Sequence, residues 1–566
     1  MTIKQSNKLE GEKDTFDSVI AEWDNLHTEN KVLRPVLIEE IPKGAKIYHS
    51  HMFGKRKYKD LVKDKLKFRL VEDGSEEEKP SGLDRDKHKA PTMTSMSFRT
   101  LLAICKVLKL DISSTDVPQA FTKPSEAEGY EPMYVWVPKD ATTIIVSKYP
   151  MLAQFVHSSG RILSLAVKPF YGMRGAPLFF NKHISAKMLT AGFTRSTVDP
   201  CIFYIKSKSS NDYCIVGIHV DDLLRGSNSK ALNDKLDKIL LEAYGSMTWE
   251  VGTFTYLGMH IQQQPDKSIN IDMAAYTLNL LDKFQDQVPV VKSSYPSDTL
   301  LFQTIDTAGT APTPEETSNF RSMVMSLMYL TNARPDIVKE VMLYSKYCHC
   351  PTPNAWKYLR QTLGYLSKYP YFCVNFGADS LEVHGYSDSS LANLPKARSQ
   401  GATFITLGPN GGPIAWDARG INCIVTSIAE AELKKYADAA TICSLLSKFL
   451  ISVGLSTKHT FILYTDNKAA ICLAKLGEGM TTKSRHFNIQ FHFMKELIET
   501  GILIPMHVVS PDNIPDIGTK PIVGKDYFRQ IIRIMYHNDA NKFELAVQQI
   551  KRRMEAKMTS TSTGKV

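Results

Sequence analysis

The sequence predicts an α+β chain of several domains, on three observations. At 566 residues it is too long for one hydrophobic core. With 43% hydrophobic and 23% charged residues it can fill real cores. Strand-like and helix-like segments alternate in two blocks, divided by a Ser/Pro/Thr-rich stretch from about Ser293 to Thr317. The net charge of +10 is spread along the chain, which suits an ordinary basic protein or a polyanion-binding groove equally.

In order, residues 1–15 are charged and expected to be disordered, and Phe16 to Arg69 mixes short helical and strand-like pieces. Glu72–Lys89, with three consecutive Glu, reads as a surface loop. A helix is expected over Ser97–Val107, strands over Asp111–Phe121 and Met133–Val137, and a helix over Phe179–Leu189. Cys201–Ile205 and Tyr213–Val220 form a hairpin, followed by helical spacing over Lys230–Ala243. Beyond the Ser/Pro/Thr stretch come helices Asn319–Thr331 and Ala355–Leu366, strands Val383–Tyr386, Gly401–Leu407 and Phe461–Tyr464, and a long helix from Ala429 to Leu450. The last forty or so residues read as helical, then polar and basic. The longest apolar run, Ala440–Leu455, is broken by Ser444, Ser447 and Lys448, so no membrane span is expected. A polar N-terminus and nine Cys without a Cys-x-x-Cys pair point to reduced thiols in an intracellular protein, cytoplasmic or nuclear and not secreted.

The chemistry begins where the apolar run Cys214–Val220 ends in Asp221-Asp222. Two carboxylates beside an apolar strand are costly without a cation, and a divalent ion is the strongest compensation. About two Asp-Asp pairs are expected by chance in a chain this long, so context must carry the reading. Two metals bridging an attacking hydroxyl and a triphosphate need acids from separate strands, because neighbours on one strand face opposite ways. Asp116, in Ser-Thr-Asp-Val-Pro-Gln-Ala-Phe, supplies the third. Three other groupings carry less. Asp306-Thr-Ala-Gly309 lacks the flanking strands of an aspartic protease, His49-Ser-His51 has no third ligand nearby, and Cys348-His349-Cys350 has no second ligand pair.

Six ordered blocks make the chain resemble the reverse transcriptase and RNase H region of a copia-type LTR retrotransposon polyprotein. They are Asp116-Val-Pro-Gln-Ala-Phe121, Lys168-Pro-Phe-Tyr-Gly-Met-Arg-Gly-Ala-Pro177, Asp199-Pro-Cys-Ile-Phe203, His219-Val-Asp-Asp222, Tyr256-Leu-Gly-Met-His-Ile261, and Ser326-Leu-Met-Tyr-Leu-Thr331 with Arg334-Pro-Asp-Ile337. The resemblance implies a right-hand polymerase of fingers, palm and thumb over 16–292, a linker and helical connection over 293–378, an α/β RNase H-like domain over 379–525, and a basic tail over 526–566. It implies that Asp116, Asp221 and Asp222 ligate two Mg²⁺ ions, with Mn²⁺ as a substitute. Phe121 would exclude a sugar 2′-hydroxyl, and Tyr171, Lys67 and Arg69 would contact the incoming nucleotide. His219, Tyr256, Leu257 and Gly258 would hold the primer.

RNase H centres draw four acids from strand, helix, strand and helix, and this chain offers Asp388, Glu432, Asp466 and Asp516 in that order as ligands of a second metal pair. Glu430 competes with Glu432. Two residues apart on a helix they diverge by about 200°, so only one can face the metals, and Glu432 is the choice because Glu-Leu followed by small and apolar residues resembles the RNase H helix and faces Tyr436. Asp466-Asn-Lys and Arg485-His-Phe-Asn-Ile489 resemble further blocks of that domain. Departures are His219 for a usual Tyr, Pro118 in the first aspartate block, Met325 for a frequent Gly, and Asn488 for an acid. The expected partners are an RNA template, a DNA primer, their hybrid and dNTPs, with no membrane and with gag and integrase encoded elsewhere, the chain being a fragment or remnant of a larger polyprotein. The alternative is a degenerate or domesticated nucleic-acid-binding remnant, and a third reading is RNase H activity alone.

Overall fold

The computed structural model describes residues 1–59, 62–75, 89–124, 130–285, 292–307, 309–378, 380–476, 488–536 and 539–563. The expected α+β organisation is present as four sheets with helices packed on them. The first sheet has five strands, in the order Leu33–Pro35, Ile162–Ala166, Met133–Val137, Ile47–Lys59 and Val62–Glu72. Its core, including Val19, Trp23, Leu26, Phe68, Leu70 and Phe170, joins the sheet to helix Glu12–Asp24.

The first fifteen residues are ordered, contrary to the expectation of disorder. Helix Ile3–Glu10 starts with a Thr2/Gln5 capping box, buries Ile3, and is tied down by the N-terminal ammonium donating to the Gly54 carbonyl at 2.8 Å. Arg56 binds Glu10 at 2.7 Å and Asp14 at 3.0 Å, so charges that read as disorder are paired across the sheet edge.

The second sheet holds the first acids. Its strands run Glu250–Val251, Asp111–Asp116, Asp222–Ser227, Tyr213–His219, Ile202–Lys206 and Thr194–Arg195, all antiparallel. Helix Ser95–Val107 lies against the central hairpin, and glycine permits the close approach: a Cβ at Gly226 would meet Cys105 Sγ at 2.2 Å, and one at Gly217 would meet Met93 Sδ at 2.5 Å.

The third sheet pairs Thr253–Tyr256, Met259–Gln263 and Ile269–Asp272 with Cys373–Phe376, a strand from a hundred residues downstream. Between them lie helices Pro314–Leu330, Val338–Tyr344 and Pro353–Lys368, knit by Arg334 bonding Asp336 at 2.7 Å and Tyr365 donating to the same carboxylate at 2.7 Å. The Ser/Pro/Thr stretch is packed: Leu301, Phe302 and Ile305 are buried, and Ser297 donates to Glu340 at 2.7 Å.

The fourth sheet runs Pro413–Gly420, Arg398–Leu407, Val383–Leu394, Phe461–Thr465 and Leu503–His507, with the last two strands joining parallel. Helix Ile428–Ser452 crosses it. The segment expected as a basic tail, helical at first, is helical and packed. Helices Lys525–Tyr536 and Ala540–Thr563 bury Phe543, Ala546 and Ile550, and Arg553 clamps Asp272 of the third sheet at 2.8 and 3.0 Å. Among the described residues no helix is long and apolar enough to cross a membrane.

Asp272 is 2% exposed. Burial works against its charge, yet hydrogen bonds and charge from His260 and Arg553 hold its carboxyl below the usual range. Arg553→Met removes the guanidinium and is expected to cost about 3 kcal/mol, read as a lower urea midpoint.

Candidate active sites

The polymerase-like acids are placed by register. Asp222 opens its strand opposite Asp116 on one side and His219 on the other, and the Val117 amide donates to the Asp221 carbonyl at 2.8 Å. The hairpin turn holds Val220 at φ +56°, a left-handed conformation that costs a β-branched residue about 1–2 kcal/mol. Burial, then the nearby Asp221 and Asp116 charges, push Asp222 up to about 6. The three acids thus share a neighbourhood, but among the described residues they do not form a group whose ligand atoms all fall within 4.8 Å.

The expected nucleotide-binding side chains meet beside them. Phe121 packs edge-on against Tyr171 with ring centroids 5.5 Å apart, and the Arg69 guanidinium lies 4.3 Å from the Tyr171 ring. Lys67 sits two residues earlier on the same strand, hence on the same face. The Tyr171 segment reaches this strand because Gly172, at φ +97°, leaves room: a Cβ there would lie 2.1 Å from the Glu72 carbonyl oxygen.

The four expected primer-binding residues separate. Tyr256 is buried, stacked on Phe98 at 5.5 Å, with its hydroxyl 3.5 Å from the Asp222 carbonyl; it props the acid hairpin. Leu257 and Gly258 form the adjacent turn, whose Leu257 carbonyl accepts from Tyr329 at 2.7 Å. His219 is half-buried, with Nδ1 lacking a hydrogen-bond partner.

The second group converges more tightly. Ligand atoms of Asp388, Asp466 and Asp516 all lie within 4.8 Å of one another. Asp388 comes from the strand Val383–Leu394, Asp466 follows Phe461–Thr465, and Asp516 opens the short helix Asp516–Thr519. Glu432, on the long helix, accepts from the Ser389 amide at 3.2 Å. Glu430 instead caps its own helix, accepting from the Thr426 amide at 2.8 Å and hydroxyl at 2.7 Å. Burial raises Glu432 to about 8, helped by Asp388 and Asp466, and burial also raises Asp388 and Asp516. Glu432 Oε2 is buried with no hydrogen-bond partner. A crowded, partly orphaned set of hard oxygen donors fits a divalent cation.

Sequence reasoning missed the shell around these acids. Thr519 donates its hydroxyl to Asp388 and Ser510 to Asp466, while Lys520 Nζ lies 2.6 Å from Asp516 Oδ1. Lys520 was detectable, since it stands one helical turn after Asp516. Asn467, next to Asp466, caps the following helix, its side chain accepting from the Ala470 amide at 3.1 Å. Most of the Arg485–Ile489 block lies outside the described residues.

Residues 35–291 match the reverse transcriptase (RNA-dependent DNA polymerase) family. The retrovirus-related Pol polyprotein from transposon TNT 1-94 of Nicotiana tabacum is 26% identical over 495 residues, 85% of this chain and 35% of that protein. The corresponding polyprotein from transposon RE2 of Arabidopsis thaliana is 26% identical over 477 residues, 83% of this chain and 30% of that one. The chain therefore spans about a third of the length of these curated relatives. Among solved structures, a foamy viral protease-reverse transcriptase in complex with double-stranded DNA aligns with TM-score 0.47 and 14% identity, covering 87% of this chain and 69% of that one.

Behind Arg69, Glu22 is buried and accepts from the Leu70 amide at 3.1 Å. Burial raises its carboxyl to about 7 against these bonds and the Lys67 and Arg69 charges. Because the folded value lies above the ordinary 4.5, its contribution to stability is complete below about 4.5 and is lost as pH rises through 7. Glu22→Gln should therefore match the unaltered protein in unfolding midpoint at pH 4.5 and exceed it at pH 8.5, by about 3 kcal/mol at most.

Proposed function

Residues 35–291 belong to the reverse transcriptase (RNA-dependent DNA polymerase) family, and from that premise we propose that the chain copies an RNA template into DNA and cleaves the RNA of the resulting hybrid. The observation that carries the first activity is the pairing of Asp222 with Asp116, with Asp221 in the turn between buried strands. The second rests on the Asp388, Glu432, Asp466 and Asp516 cluster, in a separate sheet.

Asp116, Asp221 and Asp222 would hold one pair of divalent ions, Mg²⁺ or Mn²⁺ in its place, and the four C-terminal acids another. Such ions neutralise charge on the attacking and leaving oxygens of an in-line displacement. The chain's own residues position the reactants. Phe121 closes the space a ribose 2′-hydroxyl would need, favouring dNTPs. Arg69, held over Tyr171, and Lys67 face the triphosphate as charge partners. Leu257 and Gly258, tethered to Tyr329, and His219 beside the acid hairpin hold the primer end, whose 3′-hydroxyl displaces pyrophosphate. Tyr256 acts on the acids from below, through the Asp222 backbone. In this reading gag and integrase, encoded elsewhere, are partners, and the work is done inside the cell.

A second reading has one observation in its favour. His219 stands beside the acid hairpin where the family usually carries Tyr, a departure that suits a nucleic-acid-binding remnant, or an RNase H alone, that has lost polymerisation.

Primer extension on an RNA template separates the readings. Asp221→Asn should lower dNTP incorporation at least a thousandfold and spare RNA cleavage, and Asp466→Asn should do the reverse. Normal hybrid binding without incorporation, in Mg²⁺ or Mn²⁺, would sink the polymerase claim.

A further inference from the structure

Lys520 stands inside the acid cluster of the fourth sheet. Its Nζ is 2.6 Å from Asp516 Oδ1 and 3.6 Å from Asp388 Oδ2. Among the described residues no other Lys, Arg or His lies within ion-pair distance of Asp388, Glu432, Asp466 or Asp516. One ammonium thus faces the charges of Asp388, Asp516 and Asp466, the first two at close range.

Its backbone is pinned while its side chain is not. The buried Lys339, paired with Glu340 at 3.2 Å, donates to the Lys520 carbonyl at 3.0 Å. Gln400 donates to the Gly518 carbonyl at 3.2 Å and Asn393 to the Thr519 carbonyl at 3.1 Å. The Lys520 side chain, by contrast, is 41% exposed. A fixed root with a solvated stem lets the cation leave without dragging Asp516 out of place. An ammonium is also a weaker partner for crowded carboxylates than a divalent ion, since it brings one positive charge where the ion brings two and takes more oxygen ligands.

Resting on the ribonuclease H reading of this site, we propose that Lys520 is a resident counter-cation. It holds Asp388 and Asp516 together while no divalent ion is bound, and it swings to solvent when one binds. The cluster then stays assembled in the metal-free protein, and metal affinity is lower than the carboxylates alone would set.

Calorimetric titration of the full chain with Mn²⁺ tests this. Lys520→Gln should bind Mn²⁺ at least tenfold more tightly than the unaltered protein, and Lys520→Arg about as tightly as it. Lys520→Gln should also melt lower in EDTA and recover when Mn²⁺ is added. On the unaltered protein, acetylation of Lys520 by acetic anhydride, read by mass spectrometry, should run several-fold faster in saturating Mn²⁺, a measurement that needs no variant to fold. Equal or weaker Mn²⁺ binding by a folded Lys520→Gln, or acetylation indifferent to Mn²⁺, overturns the inference alone. If Asp466→Asn binds Mn²⁺ as the unaltered protein does, the metal lies elsewhere, and the ribonuclease reading falls with it.

Discussion

Asp388, Glu432 and Asp516 are 1%, 3% and 8% exposed, and mutual repulsion in so little water is the constraint around which the C-terminal half is built. Left alone, such acids protonate or move apart, and burial does raise all three. The chain holds them in place by spreading their supports over distant elements. Thr519 and Ser510 each satisfy one carboxylate, the Ser389 amide takes Glu432, and Asn513 donates to the Ser387 carbonyl at 3.1 Å, fixing the loop before Asp516 against the strand of Asp388. The polymerase-like acids meet the same difficulty with less burial. Asp116 is exposed and Asp222 partly so, and burial with the neighbouring acids raises Asp222 to about 6. The difference in burial accounts for the tighter convergence of one group and the looser placement of the other: supports are needed where water cannot help.

The halves are joined by groups that are themselves costly to bury. Arg99, on the helix beneath the acid hairpin, is 9% exposed, and burial pulls its guanidinium down to about 9. It has carbonyls and an indole for partners: Ile414 at 2.5 Å, Asn332 at 3.2 Å, and the Trp416 ring 4.1 Å away. Trp416 in turn donates to the Thr331 carbonyl at 3.1 Å, so one cluster ties the second sheet's helix, the connection and the fourth sheet together. A guanidinium spread over three elements is satisfied only when all three are docked, which makes the assembly cooperative.

Much of this was legible in the sequence where local pattern and chemistry coincide. The run Cys214–Ile218 is apolar throughout because both its faces are buried, and its hairpin to Cys201–Ile205 followed from the polar Lys206–Asp212 between them. Helical geometry allowed only one of Glu430 and Glu432 to face the cluster, and the resemblance of the residues after Glu432 to the RNase H helix picked it out. What stayed hidden depends on distant partners. Charges at Glu10 and Asp14 read as disorder because Arg56 is forty residues away, and the helix carrying Arg553 read as a tail because Asp272 lies in another sheet. Tyr256 sat in a block read as primer-facing, and its burial under Asp222 follows from Phe98, which no local spacing connects to it. Lys339 escaped for the same reason, since a lysine on an amphipathic helix gives no sign that its ammonium will end on the carbonyl of Lys520.

The two acid groups are also mechanically close. The long helix bearing Glu432 near its start ends at Ser452, which bonds Ser196 of the second sheet at 2.7 Å, and the adjacent Val453 carbonyl accepts from Tyr213 at 2.8 Å. Tyr213 opens the strand that leads to His219 and the Asp221-Asp222 turn. One helix thus touches both the acid cluster of the fourth sheet and the base of the polymerase-like hairpin. The third sheet adds a parallel route, because its last strand, Cys373–Phe376, leads directly into the fourth sheet while its second, Met259–Gln263, follows the turn at Leu257 and Gly258. Two covalent and packed paths between the same pair of sites leave little freedom for one acid group to move relative to the other.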